Sequence, residues 1–167
     1  MIHGESLRRL VERQAEVSVT GTKQRKMLTE SQVIASVRRF LEQRGFRITS
    51  CLSETEQGID IEGFAPDGKQ GISIEAKGET SSKSGSGRFG NAFDSSQVSV
   101  HVAKAFYCAA RDYPTGKLVG VAFPKNELHV KCVQKILPAI KTLGIEVFWV
   151  EPHNGTVEVE HIWHVWR

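Results

Sequence analysis

The sequence predicts an α/β protein in three layers, a central mixed sheet flanked by helices on both faces. Three observations predict it. KLVGVAF (117–123) and GIEVFWV (144–150) are short, continuously apolar runs of the kind found in strands buried on both faces. Two alternating runs on either side of Asp67-Gly68 read as an antiparallel hairpin. Helical stripes precede and separate these strands in the order α-β-β-β-α-β-α-β-β, which is not a run of pure βαβ units.

The elements follow in turn. Residues 5–16 carry the stripe of a short charged helix, with Leu7, Leu10 and Val11, and polar residues 17–28 read as a linker. The division expected is therefore an N-terminal helix and linker over 1–28 and one domain over 29–167. Within Thr29–Arg44, Val33, Ile34, Val37, Phe40 and Leu41 fall on one helical face. Thr29 with Gln32 forms a capping box, and Gly45 ends the helix. Glu30 lies three, four and seven residues before Val33, Ile34 and Val37, so it prolongs the inward stripe. Strands are expected at 46–52, 58–65 and 70–77, then a Ser/Gly-rich loop. A second helix runs from about Ser95 to Arg111, capped by Asp94, with Val98, Val102, Ala105, Phe106 and Ala109 inward. Residues 125–143 are helical with a break near Pro138. HNGT turns the chain into a last strand, VEVEHIWHVW. Alternation there puts His161, Trp163 and Val165 on one face, so His161 and His164 make no metal pair. A sheet-edge strand or a dimer contact is the expected use of this segment.

Composition narrows the function classes. A chain of 167 residues with 40% hydrophobic and 25% charged residues can bury a real core. No run approaches the length of a membrane span, and the start lacks the apolar core of a secretory signal. Three well-separated cysteines without a CxxC pair suit a reducing, cytoplasmic setting and offer no zinc site. A net charge of +3 permits a polyanionic partner without demanding one. Lys23, Arg25, Lys26, Arg38, Arg39, Arg44 and Arg47 crowd the first third, as a solvated helix face or as a phosphate-contacting surface.

The densest chemistry lies in GIDIEGFAPDGKQGISIEAKGE, residues 58–79. With Asp67-Gly68 as a two-residue loop, Asp60 faces Glu75, Glu62 faces Ser73 and Gly58 faces Lys77. Period two puts Ser73, Glu75 and Lys77 on one face and Ile72, Ile74 and Ala76 on the other. Like charges directly opposite repel, so this carboxylate pair needs a cation, a shared proton or water. Oxygens so grouped describe a site for a hard cation such as Mg²⁺, with Lys77 beside it to hold a water or a phosphate oxygen. Ordinary polar-out alternation is the bland alternative. A longer loop or a bulge at Pro66 would move Asp60 off Glu75.

These residues resemble the PD-(D/E)xK, restriction-endonuclease-like nucleases, and in motif the Mrr-type endonucleases and Holliday-junction resolvases most. A Gly-Ile-Asp strand, a turn and a strand ending in Glu-x-Lys carry the likeness, which spans about residues 29–123. It implies a restriction-endonuclease-like fold and a Mg²⁺-dependent DNA endonuclease, with Mn²⁺ as a substitute ion. Asp60, Glu75 and the Ala76 carbonyl would hold the metal, Lys77 would be the catalytic lysine, and Glu30 would be the acidic residue of the first core helix. Gln97 would match a glutamine that many relatives carry after the lysine strand. Where some have Gln-x-x-x-Tyr, this chain has His101. Cutting both strands of a duplex needs two active sites, so a homodimer is an expectation that no residue signals. The alternative is a nuclease-like module that binds nucleic acid or protein without cleaving.

Weaker signals surround this core. Gln97 stands three residues after Asp94, at the closing place of a capping box, yet shares a face with His101 and Lys104 that could look toward a phosphate. GSGRFG (85–90) matches a dinucleotide fingerprint in letters, but its glycines neither follow a strand directly nor open a helix. A loop is the better reading, with Lys83 and Arg88 either contacting a nucleic-acid backbone or simply solvated.

Overall fold

The computed structural model describes residues 26–52, 58–82, 85, 87 and 89–166. The expected helix over 5–16 and most of its linker lie outside these residues. The order of elements is α1 (Glu30–Glu42), β1 (Arg47–Cys51), β2 (Ile61–Phe64), β3 (Gly71–Ala76), α2 (Ser95–Asp112), β4 (Leu118–Pro124), α3 (Glu127–Gln134), α4 (Leu137–Thr142), β5 (Glu146–Val150) and β6 (Val157–Val159), with short 3₁₀ turns after α2 and at 164–166. The six strands form one sheet in the order β1-β2-β3-β4-β5-β6. The pairs β3/β4 and β4/β5 are parallel and the rest antiparallel. The fold is α/β, a mixed open sheet with flanking helices, as the element order predicts.

The layering follows from connection handedness. Both parallel connections run in the same direction across the sheet, and right-handed crossovers then place their helices on one face. That face packs α2, α3 and α4 against Val119, Val121 and Phe123 of β4 and Val147 and Trp149 of β5. The other face packs α1 through Val33, Ile34, Val37, Phe40 and Leu41 against Ile61, Ile72, Ile74 and Phe148. Every residue of the predicted α1 stripe is buried, and Thr29 and Gln32 make both bonds of the capping box. The break between α3 and α4 falls at 135–136, with Pro138 in the first turn of α4, where a missing N–H costs nothing.

The hairpin turn departs from the expected two-residue loop. Gly68 has φ +69° but Asp67 does not have a positive φ, so a turn needing both is not formed. Instead the Ala65 N–H donates to Gln70 O at 2.7 Å, and four residues form the loop. Asp67 Oδ1 accepts from the Lys69 and Gln70 N–H groups at 2.9 and 3.0 Å. Lengthening the loop by one residue on each arm preserves the register. Glu62 pairs with Ser73 and Ile61 with Ile74, as the sequence arithmetic requires.

The last strand is shorter than its alternation suggests. β6 ends at Val159, and His161 at φ +56° turns the chain out of the sheet. Glu146, fully buried, accepts the Ile162 and Trp163 N–H groups at 3.1 Å each. Trp163 is only 2% exposed and donates from its indole to Val119 O at 2.9 Å. Bonds to a buried carboxylate thus replace a strand ladder beyond 160. Trp163 belongs to the core and is not a face for a second copy.

Candidate active site

The C-terminal ends of parallel strands gather loops in α/β sheets and are the usual place for ligand chemistry. Glu75 lies near that end of β3 and Lys77 just past it, its N–H donating to Ala122 O of β4 at 2.9 Å. Asp60 precedes β2 directly, and its Oδ2 accepts the Ala76 N–H at 2.7 Å. Glu30 opens α1. The four side chains meet at the Lys77 ammonium. Nζ is 2.8 Å from Glu75 Oε1, 3.2 Å from Glu30 Oε2 and 3.7 Å from Asp60 Oδ2. It also donates to the Ala76 carbonyl at 2.5 Å.

Little of this cluster meets water. The Lys77, Glu75 and Asp60 side chains are 8%, 10% and 13% exposed, and Glu30 is 27% exposed. Three carboxylates around one ammonium leave an excess of negative charge. Burial pushes the Asp60 pKa up, with Lys77 and the Ala76 N–H only partly opposing it. For Lys77 burial acts downward, but Asp60, Glu30 and Glu75 outweigh it and hold the amine above its ordinary 10.5. Lys77 is therefore an ammonium at neutral pH.

The donors proposed for a metal, Asp60, Glu75 and the Ala76 carbonyl, all reach one cationic nitrogen. They are hard oxygens with net negative charge, the chemistry that Mg²⁺ takes. Among the described residues, no group of three His, Cys, Asp or Glu side chains has the spacing of a metal-holding cluster. The proposed set draws only two of its donors from side chains and the third from the backbone.

Two neighbours of the cluster escaped the sequence reading. A Cβ on Gly78 would lie 2.5 Å from the Glu30 N and 2.7 Å from the Thr29 carbonyl carbon, so only glycine lets the start of α1 approach Lys77 this closely. Glu79, 4% exposed, bonds to both Leu28 and Asn126. The available signal was alternation, because Glu79 continues the series Glu75, Lys77 past the strand end.

The remaining candidates are placed as follows. Gln97 closes a capping box with Asp94, its side-chain oxygen accepting the Asp94 N–H at 3.0 Å. His101 is half-buried and meets the edge of Phe93 with ring centroids 4.7 Å apart, and Lys104 is exposed. The stripe of α2 that carries them continues to Cys108, whose thiol is pushed up by burial and then by the Glu75 charge. Ser73 donates to Asp112 Oδ2 at 2.9 Å and fixes the far end of α2 over the same strand face. Lys83 and Arg88 lie outside the described residues. The N-terminus of α2 is capped by the Asp94 carboxylate, which accepts the Gln97 N–H there. On α1, Arg38 pairs with Glu42 at 2.8 Å, and just past its end Arg44 lies 3.6 Å above the Phe40 ring. No helix among the described residues is long and apolar enough to cross a membrane. Comparison of the chain with protein-family models, with curated proteins and with solved structures finds no match.

Proposed function

We propose that this protein is a Mg²⁺-dependent DNA endonuclease that hydrolyses phosphodiester bonds, with Asp60, Glu75 and Lys77 as its working residues and Glu30 in support. The observation that carries this reading is the convergence of the three carboxylates and the Ala76 carbonyl on one cationic nitrogen. Asp60, Glu75 and the Ala76 carbonyl would hold Mg²⁺, or Mn²⁺ in its place. When bound, such an ion polarises the phosphate, makes water more acidic and offsets charge that develops in the transition state. Lys77, kept protonated by its neighbours, would release its bonds to Glu75 and the Ala76 carbonyl to donate to a phosphate oxygen and orient the attacking water in line. Glu30 shares the Lys77 ammonium and restrains its direction. The Ala76 N–H keeps Asp60 Oδ2 turned toward the site.

DNA is the proposed partner, with His101 and Lys104 on the α2 stripe and Lys83 and Arg88 in the preceding loop as phosphate contacts. Gln97 keeps a place in this reading only through its amide nitrogen, because its oxygen caps α2. Cleavage of both strands would bring two copies together. The free cysteines Cys51, Cys108 and Cys132 suit a cytoplasmic setting.

A second reading, a nucleic-acid-binding module that does not cleave, draws on one observation. Lys77 already bonds to every proposed metal donor or lies within 3.7 Å of it, so the cluster can stand as an internal ion network. One assay separates the two: plasmid and branched DNA with Mg²⁺ or Mn²⁺, comparing wild type, Asp60→Ala and Lys77→Ala. Each substitution is expected to lower kcat by about 10²-fold or more, the loss typical when a transition-state contact is removed. Cleavage that survives both substitutions would sink the mechanism, and a wild type that binds but never cuts selects the second reading.

A further inference from the structure

Glu79 lies where the segments leading into three helices meet. Its Oε1 accepts the Leu28 N–H at 3.0 Å, and its own N–H donates to Leu28 O at 2.9 Å. Its carbonyl accepts the Phe93 N–H at 2.9 Å. Its Oε2 accepts from the Asn126 side-chain amide at 2.8 Å, and Asn126 Oδ1 accepts the His129 N–H at 2.9 Å as the cap of α3. Leu28, Phe93 and Asn126 each stand one or two residues before a helix. Glu79 is 4% exposed, so water cannot easily replace these bonds if they are lost.

The two hydrogen bonds between Glu79 and Leu28 lie two residues from each partner of the Lys77–Glu30 pair. Glu30 is two residues after Leu28, and Lys77 is two residues before Glu79. Gly78 completes the contact, because its missing Cβ lets the Glu30 N come against the chain there. With arms this short, the clamp sets where Glu30 meets the ammonium. Asn126 in turn prevents the carboxylate from rotating away from Leu28.

We infer that Glu79 is a positioning residue, which fixes the start of α1 so that Glu30 is held against Lys77. Its consequence for cleavage rests on the nuclease reading above; its consequence for placement does not.

The direction of the Asn126 hydrogen bond gives the test. In Glu79→Gln the new amide can accept from Leu28 only by presenting its NH₂ to the Asn126 NH₂, and Asn126 cannot turn over without uncapping α3. Adding Asn126→Asp removes this conflict, since the carboxylate it introduces accepts from that amide with one oxygen and caps α3 with the other. The full chain is used throughout. Urea unfolding of Glu79→Gln, Glu30→Gln and the double variant is expected to show a midpoint loss well below the sum of the single losses. Additive losses would overturn the inference. In DNA cleavage, Glu79→Gln is expected to lower kcat about tenfold, as loss of an outer partner of a metal site does, with KM unchanged. Glu79→Gln/Asn126→Asp is expected to recover most of it. An unchanged kcat in the folded Glu79→Gln protein, or no recovery in the pair, also overturns it. A wild type without cleavage defeats the nuclease reading instead, and the unfolding cycle then decides the clamp alone.

Discussion

Lys77 concentrates the chemistry of this protein in one atom. Its ammonium meets three carboxylates and a carbonyl, and only 8% of the side chain is exposed. Lys77→Met keeps the length and the apolar stem and deletes the charge. Removing one partner of a buried ionic group typically costs about 3–5 kcal/mol, because the other charges stay behind uncompensated. The expected result is a lower Tm that Mg²⁺ raises by more in Lys77→Met than in wild type, since a divalent cation can replace the missing charge. Thermal unfolding with and without Mg²⁺ checks this. Equal responses in the two proteins would count against the cluster as a cation site.

Elements bring these residues together, and the β2–β3 hairpin does most of it. Its register pairs Ile61 with Ile74, Asp60 just before β2 accepts the Ala76 N–H, and Asp67 holds the turn by accepting two backbone N–H groups. The Gln70 N–H, then the Lys69 N–H, lowers the Asp67 pKa below its ordinary 3.8. A carboxylate with a depressed folded pKa stabilises above its unfolded value, and this is lost as pH falls through the folded one. In wild type the Lys69 and Gln70 amide resonances should therefore titrate below pH 3.8. In Asp67→Asn, which keeps an acceptor oxygen and has no charge to lose, they should stay flat. Titration persisting in Asp67→Asn would assign it to another group. The same hairpin shows how far local patterns reach. Alternation and Asp-Gly predicted the register but not the loop. Pro66, with its fixed φ, favours the turn position before Asp67, and the loop took two more residues without disturbing the pairing.

At the scale of the molecule, two cores hold the sheet between helices, and the C-terminal segment completes one of them. Trp163 meets the Phe46 and Phe148 rings at 6.3 and 5.5 Å between centroids and bonds to Val119 O. Gly120 leaves it room, since a Cβ there would lie 3.3 Å from the indole. Trp163→Ala should cost about 3–5 kcal/mol, the usual loss for emptying a buried aromatic site. Urea unfolding measures it, and a loss within about 0.5 kcal/mol, typical of surface substitutions, would contradict this packing.

The sequence by itself determined the α/β class, the order of the elements, the buried stripe of α1 and the pairing of the hairpin. Each is written in spacing along the chain: 3.6-residue and two-residue periods, capping residues, and a turn whose arms lengthen together. Motif and register also marked Asp60, Glu75 and Lys77 as neighbours. Only the tertiary structure decided that Glu30 and the Ala76 carbonyl share the same ammonium, that Gly78 and Glu79 clamp α1 beside it, and that Glu146 draws Trp163 into the core instead of extending β6. Apart from the Ala76 carbonyl, which neighbours Lys77, these contacts join residues far apart in the chain through carboxylates and backbone groups. Such groups bond to whichever partner the fold brings within reach, and that choice leaves no periodic mark in the sequence.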